Sequence, residues 1–597
     1  MTLSPRLFAA VSVTAVAALA WTTPQTAEAC GGTFCDNLPQ PMPIDQTGEN
    51  ILFIVDGPAV EVHIQINIDS NTDAEKFAWV IPVATMPEFQ IGSDPLFNSL
   101  LAASVPQYFV QNDCGGFGDD SGVAFISSPD GGGAPLDEVY NEVVGAFDVT
   151  VLADDSAADI AAWLVANDFA EDETAMPILE EYVAQGWMFV AVRLANNVGV
   201  DQVHPLVMTY DNGEPCVPLR LTRIAASEDM EVRTFFLGES RVAPSNYKHV
   251  LVNPLKIDWL ESGANYKEVV TMAVDQDGAG GKAFVTEFAG SSDVVARNGL
   301  WSENWNPDPF VAIAPEDALG LLSDQGLVSC FVDACQFNHP LILGLLRQYL
   351  PAPDDTLESE FWTDMPDHAE LIDLGAWDGA AFAADLGERI VDPGFHAVEL
   401  LDTWSYVTRL YTTISPAEMT VDPIFHPHPE LPDVAALRLA SVTSDCDGGA
   451  SVVTLPDGRE VFIPEGGQWP TFTDEMPWEE DIEEIMEGAG APFPVVDNTE
   501  LIDALLADYN ADATPPAGGT GGTGPTGSGD TTGGTGGGAA FPGDSGDTDP
   551  GGDAVDGTSS GCACQTGRGT GGTIGFGLGL LLAGMVTRRR RPKKVAR

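Results

Sequence analysis

Ile51-Leu-Phe-Ile-Val55, then Asp56-Gly57-Pro58, then Val60-Glu-Val-His-Ile-Gln-Ile-Asn-Ile68: this stretch decides the fold. Val60, Val62, Ile64, Ile66 and Ile68 alternate with Glu61, His63, Gln65 and Asn67. A period of two gives a strand one dry and one wet face. The run before it, across a turn-forming Asp-Gly-Pro, predicts a hairpin. Working outward, residues 77–83 contain Pro82, which makes them an edge strand at best. Residues 147–152, 187–195, 206–210, 217–225, 231–237 and 283–288 read as further strands. Two helices interrupt them. Ser156 can cap the first, to Asn167, with Asp159 completing a capping-box pattern. Ile160, Trp163 and Leu164 share one face of it, and residues 177–185 form the second helix. The mixture predicts an α+β fold with a largely antiparallel, strand-rich first part.

From about Pro315 the pattern turns helical, with candidates at 315–322, 340–349, 368–374, 380–386 and 395–412. Short β segments near 438–442 and 451–463 break the run, and a last helix is expected at 499–509. The expected organisation is a signal peptide over 1–29, the strand-rich part over 30–310 and a mainly helical part over 311–512. A Gly/Thr/Asp linker over 513–561 and a tail over 562–597 complete it. The linker has almost no large apolar residue beyond Phe541, so it cannot bury a core and reads as a stalk.

The chain has 90 acids against 25 bases, a net charge of −65. Such a body repels nucleic acid and anionic lipid surfaces, so no nucleic-acid partner is expected. Both ends read as addresses. Arg6, an apolar run and Ala27-Glu28-Ala29 predict a secretory signal cleaved after Ala29, before Cys30. At the other end come Cys562 and Cys564, an apolar stretch over 573–586, and then Arg588, Arg589, Arg590, Arg591, Lys593, Lys594 and Arg597. The stretch is at the short limit for a transmembrane helix, and the bases belong on the cytoplasmic side. The expectation is an exported protein at the cell surface or outer envelope, held to the membrane by this helix or by lipid. An envelope or extracellular partner is the other expectation.

This tail resembles the myxobacterial-type C-terminal sorting signal: a Cys, a short Gly-rich apolar helix and a terminal Arg cluster. The resemblance implies cleavage and lipid modification at Cys562 or Cys564. The body resembles the domain-of-unknown-function 2330 family. The matching segments are Ala29-Cys-Gly-Gly-Thr-Phe-Cys35, Phe77-Ala-Trp-Val-Ile-Pro-Val83 and Val144-Gly-Ala-Phe-Asp-Val-Thr-Val-Leu152. Two more are Tyr182-Val-Ala-Gln-Gly-Trp-Met-Phe-Val190 and Ala283-Phe-Val-Thr-Glu-Phe288. The resemblance runs over roughly residues 29 to 390. It implies no activity and no catalytic residue.

Nine cysteines stand at 30, 35, 114, 216, 330, 335, 446, 562 and 564. Cys30/Cys35 and Cys330/Cys335 share a C-x4-C spacing. Export favours disulfides over zinc for both pairs. His426-Pro-His428 is the only close histidine pair, and in an extended segment both rings can face one metal. Without a third fixed ligand, an exposed Pro-rich loop is the favoured reading. Asp445 and Asp447, like Asp275 with Asp277 and Asp113 with Asp119 and Asp120, are calcium candidates that complete no EF-hand loop. Residues 479–484 read as one wet, acidic helix face. No G-x-S-x-G elbow, H-E-x-x-H helix or Walker loop is present. The expectation is therefore a binding or structural ectodomain with no catalytic residue and no cofactor. A secreted hydrolase with a non-local site, which needs a deep pocket with titratable groups, and a calcium-binding envelope protein are the alternatives.

Overall fold

Strand Gln46–Asp56 runs antiparallel to Ala59–Ile68, with Asp56 opposite Ala59, so Gly57-Pro58 is a two-residue loop. Gly57 has φ +59°, the left-handed conformation such a hairpin loop asks of its first residue. This hairpin sits inside a ten-stranded mixed sheet. Its order is Phe493–Asp497, Glu479–Glu484, Lys248–Val252, Ala283–Ser291, Tyr406–Ile414, Ala226–Gly238, Gln46–Asp56, Ala59–Ile68, Leu206–Asp211 and Glu88–Ile91. Two of its pairings are parallel, Gln46–Asp56 with Ala226–Gly238 and Lys248–Val252 with Ala283–Ser291; the rest are antiparallel. The computed structural model describes residues 46–68, 78–112, 140–153, 156–167, 175–194, 202–211, 214–224, 226–331, 334–354, 356–363, 365–444, 449–488 and 490–513, which fall in one compact unit.

The alternation of the opening stretch sorts the layers. Ile51, Phe53, Val60, Val62, Phe236 and Phe284 point to one face and pack on a second sheet through Trp79, Ile81, Val149 and Val192. That sheet runs Ala78–Val83, Met188–Leu194, Phe147–Leu152, Tyr140–Val144, and the Pro82-bearing strand is its edge, as the sequence predicts. Helices Ala157–Ala166 and Ala175–Ala184 cover its outer side through Ile160, Leu164, Ile178 and Leu179. Ser156 caps the first, its hydroxyl accepting the Asp159 N–H. On the other face of the large sheet, Leu52, Ile54, Phe235 and Leu237 are buried under helices Asp94–Ser104 and Asp392–Thr403. Residues 301–391 form a helical module around Phe310, Leu345, Phe361 and Phe382. A four-stranded sheet, Glu460–Ile463, Ser451–Thr454, Leu437–Ser444, Gln107–Asn112, packs with helix Thr499–Asp512 into a further core.

Four expectations are corrected. The part expected to be mainly helical over 311–512 is so only as far as Thr403: among the described residues no helix lies between there and Thr499, and the stretch supplies strands to three sheets. The helix expected over 395–412 ends at Thr403, and Tyr406–Ile414 is instead a strand in the middle of the large sheet. Its β-branched and aromatic residues are buried on both faces, which removes the alternation that marks a half-exposed strand. The acidic run 479–484 is a strand, not a wet helix face: Glu479 and Ile482 are buried in it. The strand expected over 217–225 is a short helix, Leu219–Thr222, entered through Pro218. Cys330 and Cys335 stand opposite each other in the hairpin Val328–Phe331/Ala334–Phe337 and are joined by a disulfide. Cys216 is a free, half-buried thiol that burial holds well above its ordinary pKa. Cys30, Cys35, Cys114, Cys446, Cys562 and Cys564, the signal cleavage after Ala29, the stalk and the tail lie outside the described residues. Among the described residues no helix is long and apolar enough to cross a membrane.

Candidate functional site: a cavity where two strands part

Strands Lys248–Val252 and Ala283–Ser291 are paired at two positions only, Lys248 with Ala283 and His249 with Phe284. Beyond that they separate. Lys248–Val252 stays with Glu479–Glu484, and Ala283–Ser291 stays with Tyr406–Ile414. Between them lies a cavity of about 640 Å³, with Val250 and Val252 on one wall and Val285 and Thr286 on the other. Tyr108, Trp259 and Tyr266 add aromatic surface, and Leu437 and Leu439, each about half exposed, carry the apolar surface out to solvent. A concave apolar site of this size with a few convergent polar groups is the usual form of a small-molecule site.

The polar groups form one ordered chain. Arg241, His249 and Thr286 are buried. Arg241 Nη2 donates to Thr286 Oγ1 at 2.9 Å, and Nη1 donates to the Pro432 carbonyl at 2.7 Å. Thr286 Oγ1 and His249 Nε2 are 2.9 Å apart, and His249 Nδ1 lies 3.2 Å from Glu483 Oε2. Burial pushes the His249 imidazole below its ordinary pKa, against the pull of Glu483. The donors then assign the tautomer. A guanidinium only donates, so Thr286 accepts from it and sends its own proton to Nε2, and Nδ1–H donates to a carboxylate that only accepts. Sheet pairing sets this up: His249 is directly opposite Glu483, and Thr286 follows the partner of His249 by two residues on the same side.

The charges of the cavity are unevenly balanced. Asp457 and Glu480 are both held by Arg459, at 2.9 and 2.6 Å. Arg241 has no carboxylate partner among the described residues, and its buried Nε has no hydrogen-bond partner. Burial lowers its pKa without bringing it near neutrality. Arg438, over the Tyr108 ring at 5.7 Å, also leaves a buried Nε unpartnered. Glu483 lines the cavity too, so Arg241 and Arg438 leave it with one cation in excess, an anion-seeking end in a chain of net charge −65.

The residues singled out from sequence are placed differently. His426 and His428 are buried, not in an exposed loop. His426 Nδ1 is bonded to the Ser245 hydroxyl at 3.0 Å, and the two rings are 6.0 Å apart and inclined by 59°. Asp422, near them in sequence, is bound instead by Tyr182 and Arg220 at 2.7 and 2.8 Å. Glu430 accepts the Gly490 N–H. Asp445 and Asp447 lie outside the described residues. Among the described residues, one group brings three metal-ligand atoms within 4.8 Å of one another: Glu61, His63 and His396. Glu61 and His63 are the polar positions of the opening alternation, on a face that the structure covers and does not leave wet. His396 comes from more than 300 residues away, and no spacing pointed to it. The cavity left no local signal either, because its polar chain is assembled from Arg241, His249, Thr286 and Glu483 on separate elements.

Residues 25–299 match a family model described as an uncharacterized protein conserved in bacteria (DUF2330). The match stops short of residue 390, where the sequence resemblance had been expected to end. No curated protein and no solved structure matches the chain.

Proposed function

We propose that this is an exported bacterial protein, anchored at the cell surface by its C-terminal tail, whose body binds an apolar molecule carrying one carboxylate. The observation that carries the reading is the cavity between the parting strands, with Arg241 at its polar end and, among the described residues, no carboxylate bonded to it. The aromatic and branched walls supply burial of roughly 25 cal/mol per Å² of apolar ligand surface. Arg241 supplies a charge-assisted hydrogen bond of the order of 1.5–3 kcal/mol. The secretory signal, the stalk and the sorting-type tail support the surface location.

Displacement of a fluorescent fatty-acid probe from the purified protein tests this. Palmitate should compete at least tenfold better than hexadecanol, and Arg241→Gln should remove that preference while apolar binding remains. Equal competition by acid and alcohol in the parent protein would sink the reading.

A second reading rests on the order Thr286–His249–Glu483, a hydroxyl, an imidazole and a carboxylate in line, which is the arrangement of nucleophilic acyl transfer. Arg241 argues against it, since a donated hydrogen bond withdraws electron density from the Thr286 oxygen. Ester turnover that is lost in Thr286→Val and retained in Arg241→Gln would favour the hydrolase.

A further inference from the structure

The face of the large sheet opposite the second sheet carries a separate cluster. Glu61 and His63 are two apart on strand Ala59–Ile68, so both side chains leave the same face. Helix Asp392–Thr403 lies over that face and lowers His396 onto them. Oxygen Oε1 of Glu61 lies 2.6 Å from Nε2 of His63 and 2.6 Å from Nε2 of His396. The imidazoles are stacked, 5.9 Å apart and 9° from parallel, and both Nε2 atoms lie against the same carboxylate oxygen, all three ligand atoms within 4.8 Å of one another. His63 is 2 % exposed, which fixes its ring, while His396 and Glu61 are partly open. Behind His396, Glu399 Oε2 stands 3.9 Å from Nδ1, one turn along the helix and just beyond hydrogen-bond distance.

We propose that Glu61, His63 and His396 bind one divalent transition-metal ion, with a fourth position open to solvent. Two imidazole nitrogens and one carboxylate oxygen make a borderline donor set that suits zinc and not calcium, which takes oxygen ligands. Ligand atoms around a tetrahedral zinc stand about 3.3 Å apart, given bond lengths near 2.0–2.1 Å. The observed 2.6 Å contacts open to that spacing by about 0.7 Å each, an adjustment made by the partly open side chains of Glu61 and His396 around the buried His63 ring. The open position has room. A cavity of about 350 Å³, lined by Gln90, Gly145, Glu388, Asp392 and His396, adjoins the cluster. Glu388 and Asp392 precede His396 by two turns and one turn of the helical run, so two further carboxylates face the approach of a cation. Three protein ligands beside a solvent-filled space is the form of a metal centre that accepts an exchangeable fourth ligand. This inference rests on no part of the reading of the apolar cavity, which is built from other residues.

The test uses the whole chain, stripped with a chelator and titrated with Zn²⁺ by calorimetry and with Co²⁺ by visible absorption. One equivalent of each should bind, and Co²⁺ should give the intense bands of tetrahedral coordination, shifted on adding azide at the open position. Glu61→Gln and His396→Ala should each weaken binding at least tenfold while leaving the thermal melt of the metal-free protein unchanged within a few degrees. His426→Ala should leave binding unchanged. Absence of a saturable site, or a site whose affinity survives both Glu61→Gln and His396→Ala, overturns the proposal and leaves the cluster as two histidines hydrogen-bonded to one carboxylate. Octahedral Co²⁺ spectra without an azide shift overturn the open tetrahedral geometry.

Discussion

His204 is held in one protonation state by what surrounds it. The Ala146 N–H donates to its Nε2 at 2.9 Å, which leaves Nδ1 to carry the proton and donate to the Pro205 carbonyl at 2.9 Å. Burial, and after it the Arg389 charge, takes its pKa from 6.5 down to about 3. The unfolded chain therefore binds a proton below about pH 6.5 that the folded chain refuses until about pH 3. The stability this group contributes is complete above pH 6.5 and is lost as the pH falls. Between pH 6 and pH 4 it should lower the unfolding free energy by up to about 1.4 kcal/mol per pH unit. Urea unfolding across that range checks the expectation: His204→Gln should show a shallower acid limb than the parent, whatever its stability at pH 8, and parallel limbs would refute it. Of this corner only the family-like segment Val144-Gly-Ala-Phe147 and the strand from Phe147 are legible in the sequence, not the turn: Gly145 is the first residue of a two-residue hairpin loop with φ +59°. A Cβ there would stand 2.2 Å from His204 Nε2, so glycine is required on two counts. His204 itself was passed over, because its partner is a backbone N–H 58 residues away.

At the scale of elements, alternation was legible and uniform burial was not. The capped helix after Ser156 keeps one side in water, and strand Ala59–Ile68 sets Glu61, His63 and Gln65 against polar partners on its second face, so both sequences carry a period, while Pro82 alone marks its buried strand as an edge. Tyr406–Ile414 is buried on both sides, follows a helix after two residues, and reads as more of the same helix. The acidic strand Glu479–Glu484 misleads in the opposite sense: four of its five carboxylates are bonded by Arg459, Lys248, His249 and Asn498 from other elements. The disulfide of the Val328–Phe337 hairpin was expected from compartment and spacing alone. It closes a short loop whose strands are already paired, so replacing Cys330 and Cys335 with Ser should cost no more than about 2 kcal/mol and leave the fold intact. Non-reducing peptide mapping should find the bridge in the parent, and a chemical-denaturation midpoint gives the difference. A collapse of the whole structure on substitution would show that the hairpin does not hold its register unaided.

For the whole molecule, charge and address dominate. The last 30 residues hold eight bases and no acid, while the rest of the chain is overwhelmingly acidic. Under the proposed surface anchoring, replacing Arg588, Arg589, Arg590 and Arg591 with Ser should weaken a stop at the C-terminus, because each base is costly to draw into lipid. Fractionation should find the altered protein in the medium or unprocessed in the membrane. Replacing Cys562 and Cys564 together should keep insertion and abolish lipid labelling. Two variants as abundant and as lipidated at the surface as the parent would exclude a sorting tail. Finally, the strand at the centre of the large sheet has a consequence for how the protein is made. Tyr406–Ile414 lies between Ala226–Gly238 and Ala283–Ser291, so the segment 25–299 cannot by itself join the two halves of its own sheet. A chain delivered from its N-terminus can therefore complete this sheet only once residue 414 has emerged, so the closing of the large sheet is expected as a late event of synthesis rather than an early one.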